Sequence, residues 1–190
     1  MGASPDELDV ARGILRQTPD AGLTGVQRAF RDQIDAFLVE HGPVALTRAC
    51  LPGHLTASCV LWSHDRERFL LHHHRKLDLW LQFGGHCDGE GDTQSVAVRE
   101  TLEESGIAVS WVTPHPIDFD VHTIPARPGE PEHLHLDVRY LAVAPEDARE
   151  AISDESLALR WWTPGEARRE KLDASLRRMI EFGPPQDALR

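Results

Sequence analysis

Residues 84–107 constrain the fold of this 190-residue chain more than any other part of the sequence. They begin with a glycine-rich loop that ends at Asp92 and continue into a segment with helical character, from about residue 93 to 105. Aspartate is favoured at helix N-termini, and a glycine, here Gly106, commonly ends a helix. The sequence therefore predicts a loop that leads directly into a helix.

Three glutamates, Glu100, Glu103 and Glu104, lie in this predicted helix. Positions three and four apart share one helix face, so the three carboxylates repel each other unless a cation offsets their charge. Mg²⁺ and Mn²⁺ prefer oxygen ligands and suit such a face. Arg99 lies four residues before Glu103 and could orient its carboxylate. A solvated acidic helix face is the alternative interpretation, and the glutamates alone do not decide between the two.

The full pattern from Gly85 resembles the signature of the Nudix hydrolase (MutT-like) family. That signature runs Gly, five residues, Glu, seven residues, then Arg-Glu-apolar-any-Glu-Glu-any-Gly-apolar. The chain matches it at Gly85, Arg99, Glu100, Glu103, Glu104, Gly106 and Ile107. Thr101 stands at the first apolar position, and Gly91 stands where the signature has its first Glu. The resemblance covers about residues 54–182.

The resemblance implies an α/β fold, namely an α/β/α sandwich with a mixed β-sheet. By the family pattern, Glu100, Glu103 and Glu104 bind Mg²⁺ or Mn²⁺ together with the backbone of Gly85. Glu103 and Glu100 would be catalytic, Glu100 as ligand or base, and Arg99 would hold a carboxylate in place. The expected reaction is attack of a metal-activated water on a phosphorus of a diphosphate.

Other acids could complete the site that the resemblance implies. Glu155 is the leading candidate for a second ligand or base outside the signature, with a plain loop acid as the alternative. Glu90 is one residue before the missing Glu, and the flanking Gly89 and Gly91 give the loop freedom to turn it inward. Glu90 is therefore a candidate substitute, as is Asp88.

Histidines supply the candidates for the substrate pocket. His133, His135 and Asp137 alternate on a predicted strand, so their side chains share one face, which could line the pocket, bind a metal or face the solvent. His86, beside the glycine pair, is a candidate phosphate contact. The family's preference for oxygen ligands favours pocket roles over a zinc site.

The remaining pattern predicts how the chain is organised. Residues 1–50 are expected to form a helical extension, with Ser4 as an N-cap, and residues 51–190 the Nudix domain. The extension would pack on the main domain or on a second subunit, and it would suit a homodimer. Strands are expected at residues 56–62 and 68–72, which pair as a β-hairpin with a turn at residues 63–66. Further strands are expected at residues 117–124, 134–143 and 157–162, and a closing helix at residues 164–182.

Composition excludes some classes of function. Acidic residues outnumber basic ones by 31 to 20, which argues against general nucleic-acid binding but permits one small phosphate ester beside a metal. No apolar run approaches the ~20 residues of a membrane helix, and the first ten residues do not resemble a signal peptide. The three cysteines have no paired spacing, so we expect a cytoplasmic protein.

These observations predict a metal-dependent pyrophosphohydrolase that acts on a nucleotide or a nucleoside-diphosphate-linked metabolite. One alternative is a non-catalytic module with the same fold that senses a nucleotide. Another is an enzyme similar to isopentenyl diphosphate isomerase, for which Cys87 is the nearest candidate cysteine. The specific substrate is not encoded in the signature.

Overall fold

The computed structural model describes residues 3–184, which form the mixed α/β fold that the sequence predicts. The helices are α1 (Pro5–Gln17), α2 (Gly25–His41), the 3₁₀ helix Gly42–Leu46, α3 (Thr93–Ser105), α4 (Pro164–Ala167) and α5 (Ala174–Phe182). The strands are β1 (Gly53–Trp62), β2 (Phe69–His74), β3 (Leu79–Leu81), β4 (Phe83–His86), β5 (Trp111–Val112), β6 (Asp118–Ile124), β7 (His133–Val143) and β8 (Ser156–Trp162).

The strands are hydrogen-bonded in the order β3-β2-β1-β7-β5, and β4, β6 and β8 pair with β1, β7 and β2. The predicted hairpin is confirmed, because β1 and β2 are antiparallel with Leu61 opposite Leu70. Its turn is closed by the N–H of Ser63, which donates to the carbonyl of Arg68 at 2.8 Å. Strands β6, β7 and β8 lie within one residue of their predicted bounds.

One compact unit comprises residues 1–57, 85–96 and 115–139, and it contains the N-terminal helices. Ser4 caps α1, and its side chain accepts the N–H of Glu7, as predicted. In this unit α2 packs on β6, where the buried side chain of Gln27 donates to the Asp118 carboxylate at 2.8 Å. The extension is therefore fixed to the unit by a buried polar contact as well as by its apolar face.

The second compact unit comprises residues 58–84, 97–114 and 140–190. Its strand β2 is paired on both sides, antiparallel to β3 and to β8. Phe69, Leu70 and Trp162 are all at most 1% exposed, which places β2 in the apolar core of this unit. Such two-sided pairing satisfies the backbone of β2, so its side chains can be buried.

The closing helix is where the sequence prediction is wrong. Residues 164–182 form two helices, α4 and α5, instead of one. Thr163 and Glu166 form a capping box at the start of α4. Asp173 then begins α5, because its side chain accepts the N–H of Ser175 at 2.7 Å. A second N-cap in the middle of an apolar pattern divides the helix.

Within residues 3–184, no helix is both long and apolar enough to cross a membrane. The three cysteines, Cys50, Cys59 and Cys87, are buried and form no disulfide within the described part of the chain. Burial raises the pKa of the Cys59 thiol to about 12, so this side chain is an uncharged core residue.

Candidate active site on helix α3

Helix α3 has the bounds that its local sequence predicts, residues 93 to 105. At its start, the Asp92 carboxylate accepts the N–H of Ser95 at 3.2 Å and its hydroxyl at 2.7 Å. At its end, Gly106 has a φ of +73° and donates its N–H to the carbonyl of Leu102. This positive φ is the conformation that favours glycine after a helix. The caps therefore fix the helix that carries the candidate glutamates.

Glu104 is the buried carboxyl of the set, with 6% of its surface exposed. Its Oε2 accepts the backbone N–H of Gly84 at 2.9 Å. Burial, followed by the negative charges of Glu100, Glu155 and Glu103, raises the pKa of Glu104 to about 8, and the hydrogen bond from Gly84 acts in the opposite direction. A carboxyl in these surroundings is stabilised in its charged form by a nearby cation.

Arg99 lies between the other two helix glutamates. Its Nη2 is 3.4 Å from Oε1 of Glu100, and its Nε is 3.8 Å from Oε1 of Glu103. The Glu103 side chain is 61% exposed, whereas that of Glu100 is 19% exposed. Burial is the largest cause of the raised pKa of Glu100, and the negative charge of Glu103 is the second cause. The contacts are those expected of an arginine that orients two carboxylates.

Glu155 lies in the loop that leads into β8, and its backbone carbonyl accepts the N–H of Arg75 at 2.8 Å. Its negative charge raises the pKa of both Glu100 and Glu104. The carboxylate is therefore within electrostatic range of two signature glutamates, although it is about 50 residues away in sequence.

His72 also contacts Glu104, and the sequence analysis did not single it out for this site. Its Nδ1 is 2.9 Å from Oγ of Ser156 and 3.7 Å from Oε1 of Glu104. Burial lowers the pKa of His72 to about 4, so the imidazole is neutral and forms a polar contact instead of an ion pair. The alternation of His72 and His74 on β2 was the available signal.

The loop before α3 holds the other candidates from the signature. Gly85 and His86 lie at the end of β4. Asp88 forms a bidentate ion pair with Arg48, with both N–O distances 3.0 Å, so its carboxylate is engaged there. Glu90 is half-buried, and its backbone N–H donates to the carbonyl of Cys87 at 3.0 Å.

His133 and His135 converge with His54 in the first unit. The centroids of the three rings are 4.9 to 5.2 Å apart, and one ligand atom of each lies within 4.8 Å of the others. Of the residues described, no other three His, Cys, Asp or Glu side chains converge in this way. This strand face is therefore an interior surface and not a solvated one.

Neutral imidazoles predominate in this cluster. Burial is the largest cause of the lowered pKa of His54, of His86, which falls to about 4, and of His135, which falls to about 2. The His86 ring lies 4.9 Å from that of His54 and 5.1 Å from that of His135. Uncharged imidazoles keep the lone pairs that accept hydrogen bonds or bind metals.

Asp137 lies on the same strand but is held by a different group of charges. It accepts hydrogen bonds from Oγ1 of Thr56 at 3.1 Å and from Nε of Arg139 at 2.7 Å. Arg139 also contacts Asp118 and Asp120, each at 3.3 Å. One buried guanidinium is therefore surrounded by three carboxylates, all on β6 and β7.

His54 is the cluster member that the sequence analysis missed. It is 3% exposed and begins a polar alternation on β1 that continues with Thr56 and Ser58, each 5% exposed. Polar residues at every second position of an otherwise apolar strand indicate a buried polar face. That alternation was visible in the sequence.

The solved structures that resemble this chain share its fold. A Nudix-family hydrolase from Clostridium perfringens is 24% identical, with a TM-score of 0.52 over 68% of this chain and 95% of its own. The E. coli dihydroneopterin triphosphate pyrophosphohydrolase is 21% identical, with a TM-score of 0.54 over 67% and 92%. The NUDIX domain of Shewanella oneidensis NrtR, complexed with ADP ribose, is 18% identical, with a TM-score of 0.56 over 78% and 95%.

The sequence comparison reaches the family but not an individual relative. No protein with a curated function matches the chain. A family model described as NUDIX domain matches residues 52–182, which is more than half of the chain and includes the whole of α3. With the signature on a capped helix and the shared fold, the chain belongs to the Nudix family.

Proposed function

We propose that the chain is a metal-dependent pyrophosphohydrolase that cleaves the diphosphate bond of a nucleotide or a nucleoside-diphosphate-linked metabolite. As a Nudix hydrolase it acts on a phosphoric anhydride bond in a small phosphorylated substrate. The observation that carries the residue assignment is the buried carboxyl of Glu104, whose pKa is raised by burial and by Glu100 and Glu155. Three acids within electrostatic range of one another would supply the ligands for a divalent cation.

Glu100, Glu103 and Glu104 would hold Mg²⁺ or Mn²⁺, and the sequence pattern adds the backbone of Gly85. The donors fit these ions because carboxylate and carbonyl oxygens are hard ligands. A metal bound there would polarise the phosphate oxygens and lower the pKa of a bound water. Glu104 is held in place for this role by the N–H of Gly84.

The other residues of the signature would position these ligands. Arg99 would orient the side chains of Glu100 and Glu103 through its two contacts. Glu155 would supply a further ligand or the general base, since its charge already acts on the helix carboxyls. Glu90 would substitute for the Glu that the signature places at position 91.

The substrate-pocket assignments stay predictions of the sequence. They comprise His86 as a phosphate contact, and His133, His135 and Asp137. The names of two structural neighbours support a nucleotide-like substrate, since one is a dihydroneopterin triphosphate pyrophosphohydrolase and the other is a domain complexed with ADP ribose. The net charge of −11 supports a small substrate over nucleic acid.

Location and assembly are further parts of the proposal. Three buried cysteines that form no disulfide among the described residues suit the reducing cytoplasm. A homodimer through the N-terminal helices would cover Val10, Val26 and Val39, which are 45%, 57% and 57% exposed. Burying these apolar side chains in a dimer interface would be favourable, because they are exposed to solvent in a single chain.

Two alternative functions would require different features from those of a hydrolase. A nucleotide-sensing module would bind its ligand without turning it over, and it would have no need for a carboxylate set around a buried Glu104. An isomerase similar to isopentenyl diphosphate isomerase would need a reactive cysteine in its pocket, but Cys87 is only 2% exposed. Both features favour the hydrolase.

The test is a screen of the full-length chain against nucleoside triphosphates, nucleoside diphosphate sugars, ADP ribose and dinucleoside polyphosphates with Mg²⁺. Release of phosphate-bearing products is measured for the wild type, for Glu103→Gln and for the matched control Glu181→Gln, an exposed glutamate of α5. We expect turnover that is abolished by chelation, much reduced in Glu103→Gln and unchanged in the control. Binding of a panel compound without turnover would instead favour the sensing module.

A further inference from the structure

We propose that His54, His133 and His135 form a binding site for a transition-metal ion of the zinc class. The site uses none of the signature glutamates and lies wholly within the first compact unit. It is a second metal site of different chemistry, made of nitrogen ligands in place of oxygen ligands.

The strands place the three rings at suitable distances. His133 and His135 are two residues apart on β7 and so project from one face, and His54 projects from β1. The ring centroids are 4.9, 5.0 and 5.2 Å apart. A tetrahedral ion with Zn–N bonds of ~2.1 Å separates the centroids of its imidazole ligands by about 5 Å. The three rings therefore have the spacing of imidazole ligands that share one ion.

His133 has the tautomer of a metal ligand. Its Nδ1 is 2.9 Å from the carbonyl oxygen of Pro131, which can only accept, so Nδ1 carries the proton. Its Nε2 then carries the lone pair, and this buried atom has no hydrogen-bond partner within residues 3–184. The Glu130 carboxylate, 3.7 Å away, supplies no donor for it. A backbone carbonyl on one nitrogen and a free lone pair on the other is the usual state of a ligating histidine.

His54 is a buried imidazole without an ordinary hydrogen bond among the described residues. It is 3% exposed, and neither ring nitrogen has a hydrogen-bond partner of ordinary geometry in the described part of the chain. Buried polar groups are nearly always partnered, so an unpartnered imidazole facing two others indicates a missing ligand. A metal ion would satisfy the lone pairs of all three rings at once.

The nitrogen atoms of the three imidazoles determine which class of metal ion can bind. Imidazole nitrogen suits Zn²⁺, Cu²⁺ and Ni²⁺, whereas Mg²⁺ and Ca²⁺ are held by oxygen. The His86 ring is beside the group, with its centroid 4.9 Å from that of His54 and 5.1 Å from that of His135. An ion held from β1 and β7 would stabilise the first unit, because the unfolded chain has no preformed site.

The experiment is a titration of the chelator-treated, full-length protein with Zn²⁺ by calorimetry, and with Co²⁺ by visible absorption. Excess Mg²⁺ is present throughout to occupy the oxygen ligands. The variants are His54→Gln and His135→Gln, and the matched control is His115→Gln, an exposed histidine of the same unit. Circular dichroism melts verify that each variant is folded.

We expect one tight Zn²⁺ equivalent and the intense bands of four-coordinate Co²⁺ in the wild type and in His115→Gln. In His54→Gln and His135→Gln the affinity should fall by on the order of 100-fold, since the loss of a ligand costs at least as much as the loss of a supporting group. If the buried His54→Gln variant does not fold, the half-buried His135→Gln variant decides. Absence of Zn²⁺ binding by the wild type, or equal affinity in His135→Gln, would overturn the proposal.

Discussion

The carboxylate of Glu7, in the first turn of α1, accepts a hydrogen bond from the backbone N–H of Gly91 at 2.6 Å. A Cβ added at Gly91 would lie 1.8 Å from the carbonyl oxygen of Glu7. Gly91 does not have a positive φ, so the glycine serves a close approach of two backbones and not a special turn conformation. The N-terminal extension and the loop before α3 therefore touch at the position where the signature is broken.

This contact gives a physical reason for the departure from the family pattern. A glutamate at position 91 would need the space that the backbone of Glu7 occupies. In place of that side chain, the loop receives a carboxylate from α1, 84 residues away in sequence. The break in the signature and the presence of the extension are thus two parts of one arrangement within the first unit.

Gly91→Ala should destabilise the protein by about 1–3 kcal/mol, the usual cost of forcing a methyl group into filled space. The free energy of unfolding is measured by urea titration. Gly25→Ala is the matched control, because nothing lies within 4 Å of a Cβ added at that glycine. Equal stability of the two variants would show that α1 yields readily and that the contact does not explain the glycine.

Glu104→Gln should lower turnover by at least the ~10–100-fold that losing a supporting group around a metal costs. The amide oxygen can still accept the N–H of Gly84, so the fold is retained while the charge is removed. Initial rates at saturating Mg²⁺ and a thermal melt test this, with Glu181→Gln as the control. A variant with a normal melt and near-normal turnover would remove Glu104 from the metal site.

The parts of the structure that were predicted correctly depend on short-range signals. Helix α3 has its predicted bounds because Asp92 and Gly106, which are adjacent to its ends, act as caps. The β1–β2 hairpin follows from a four-residue turn between two apolar runs. The signature glutamates share a face for the same reason, since helix periodicity alone places them together.

The parts that were missed depend on pairings over long distances in sequence. Nothing near His54 indicates that β7 will bring His133 and His135 to it, about 80 residues later. The contact of Glu7 with Gly91 is equally remote. The division of the closing helix differs from these two cases, because it has a local signal in the sequence. Asp173 and Ser175 have the form of an N-cap.

Arg139→Met should destabilise the protein by about 3–5 kcal/mol, the cost of removing one partner from a buried ion pair. Arg139 is 2% exposed, and its loss would leave Asp118, Asp120 and Asp137 buried without their shared cation. Urea unfolding measures the loss. The exposed Arg127→Met is the control, expected to change stability by no more than about 0.5 kcal/mol. Similar values for both variants would contradict the view that this cluster stabilises β6 and β7.

A carboxylate of the loop before α3 would replace the missing Glu of the signature. If Glu90 substitutes for it, Glu90→Gln should raise the Mg²⁺ concentration for half-maximal rate by about 10–100-fold. Glu90 is half-buried and directly precedes position 91, and Gly89 before it has a positive φ of +101°, a conformation that glycine adopts readily. Glu7→Gln is the matched variant, because its amide oxygen can still accept the N–H of Gly91 at the same loop.

Rates are therefore measured over a range of Mg²⁺ concentrations for the wild type and both variants. We expect a shifted titration in Glu90→Gln and an unchanged one in Glu7→Gln, since Glu7 needs only an acceptor oxygen and not a charge to hold the loop. The reverse result would assign the missing carboxylate to Glu7 and make α1 part of the metal site. Unchanged titrations in both would mean that the helix glutamates and Glu155 bind the ion without any carboxylate from this loop.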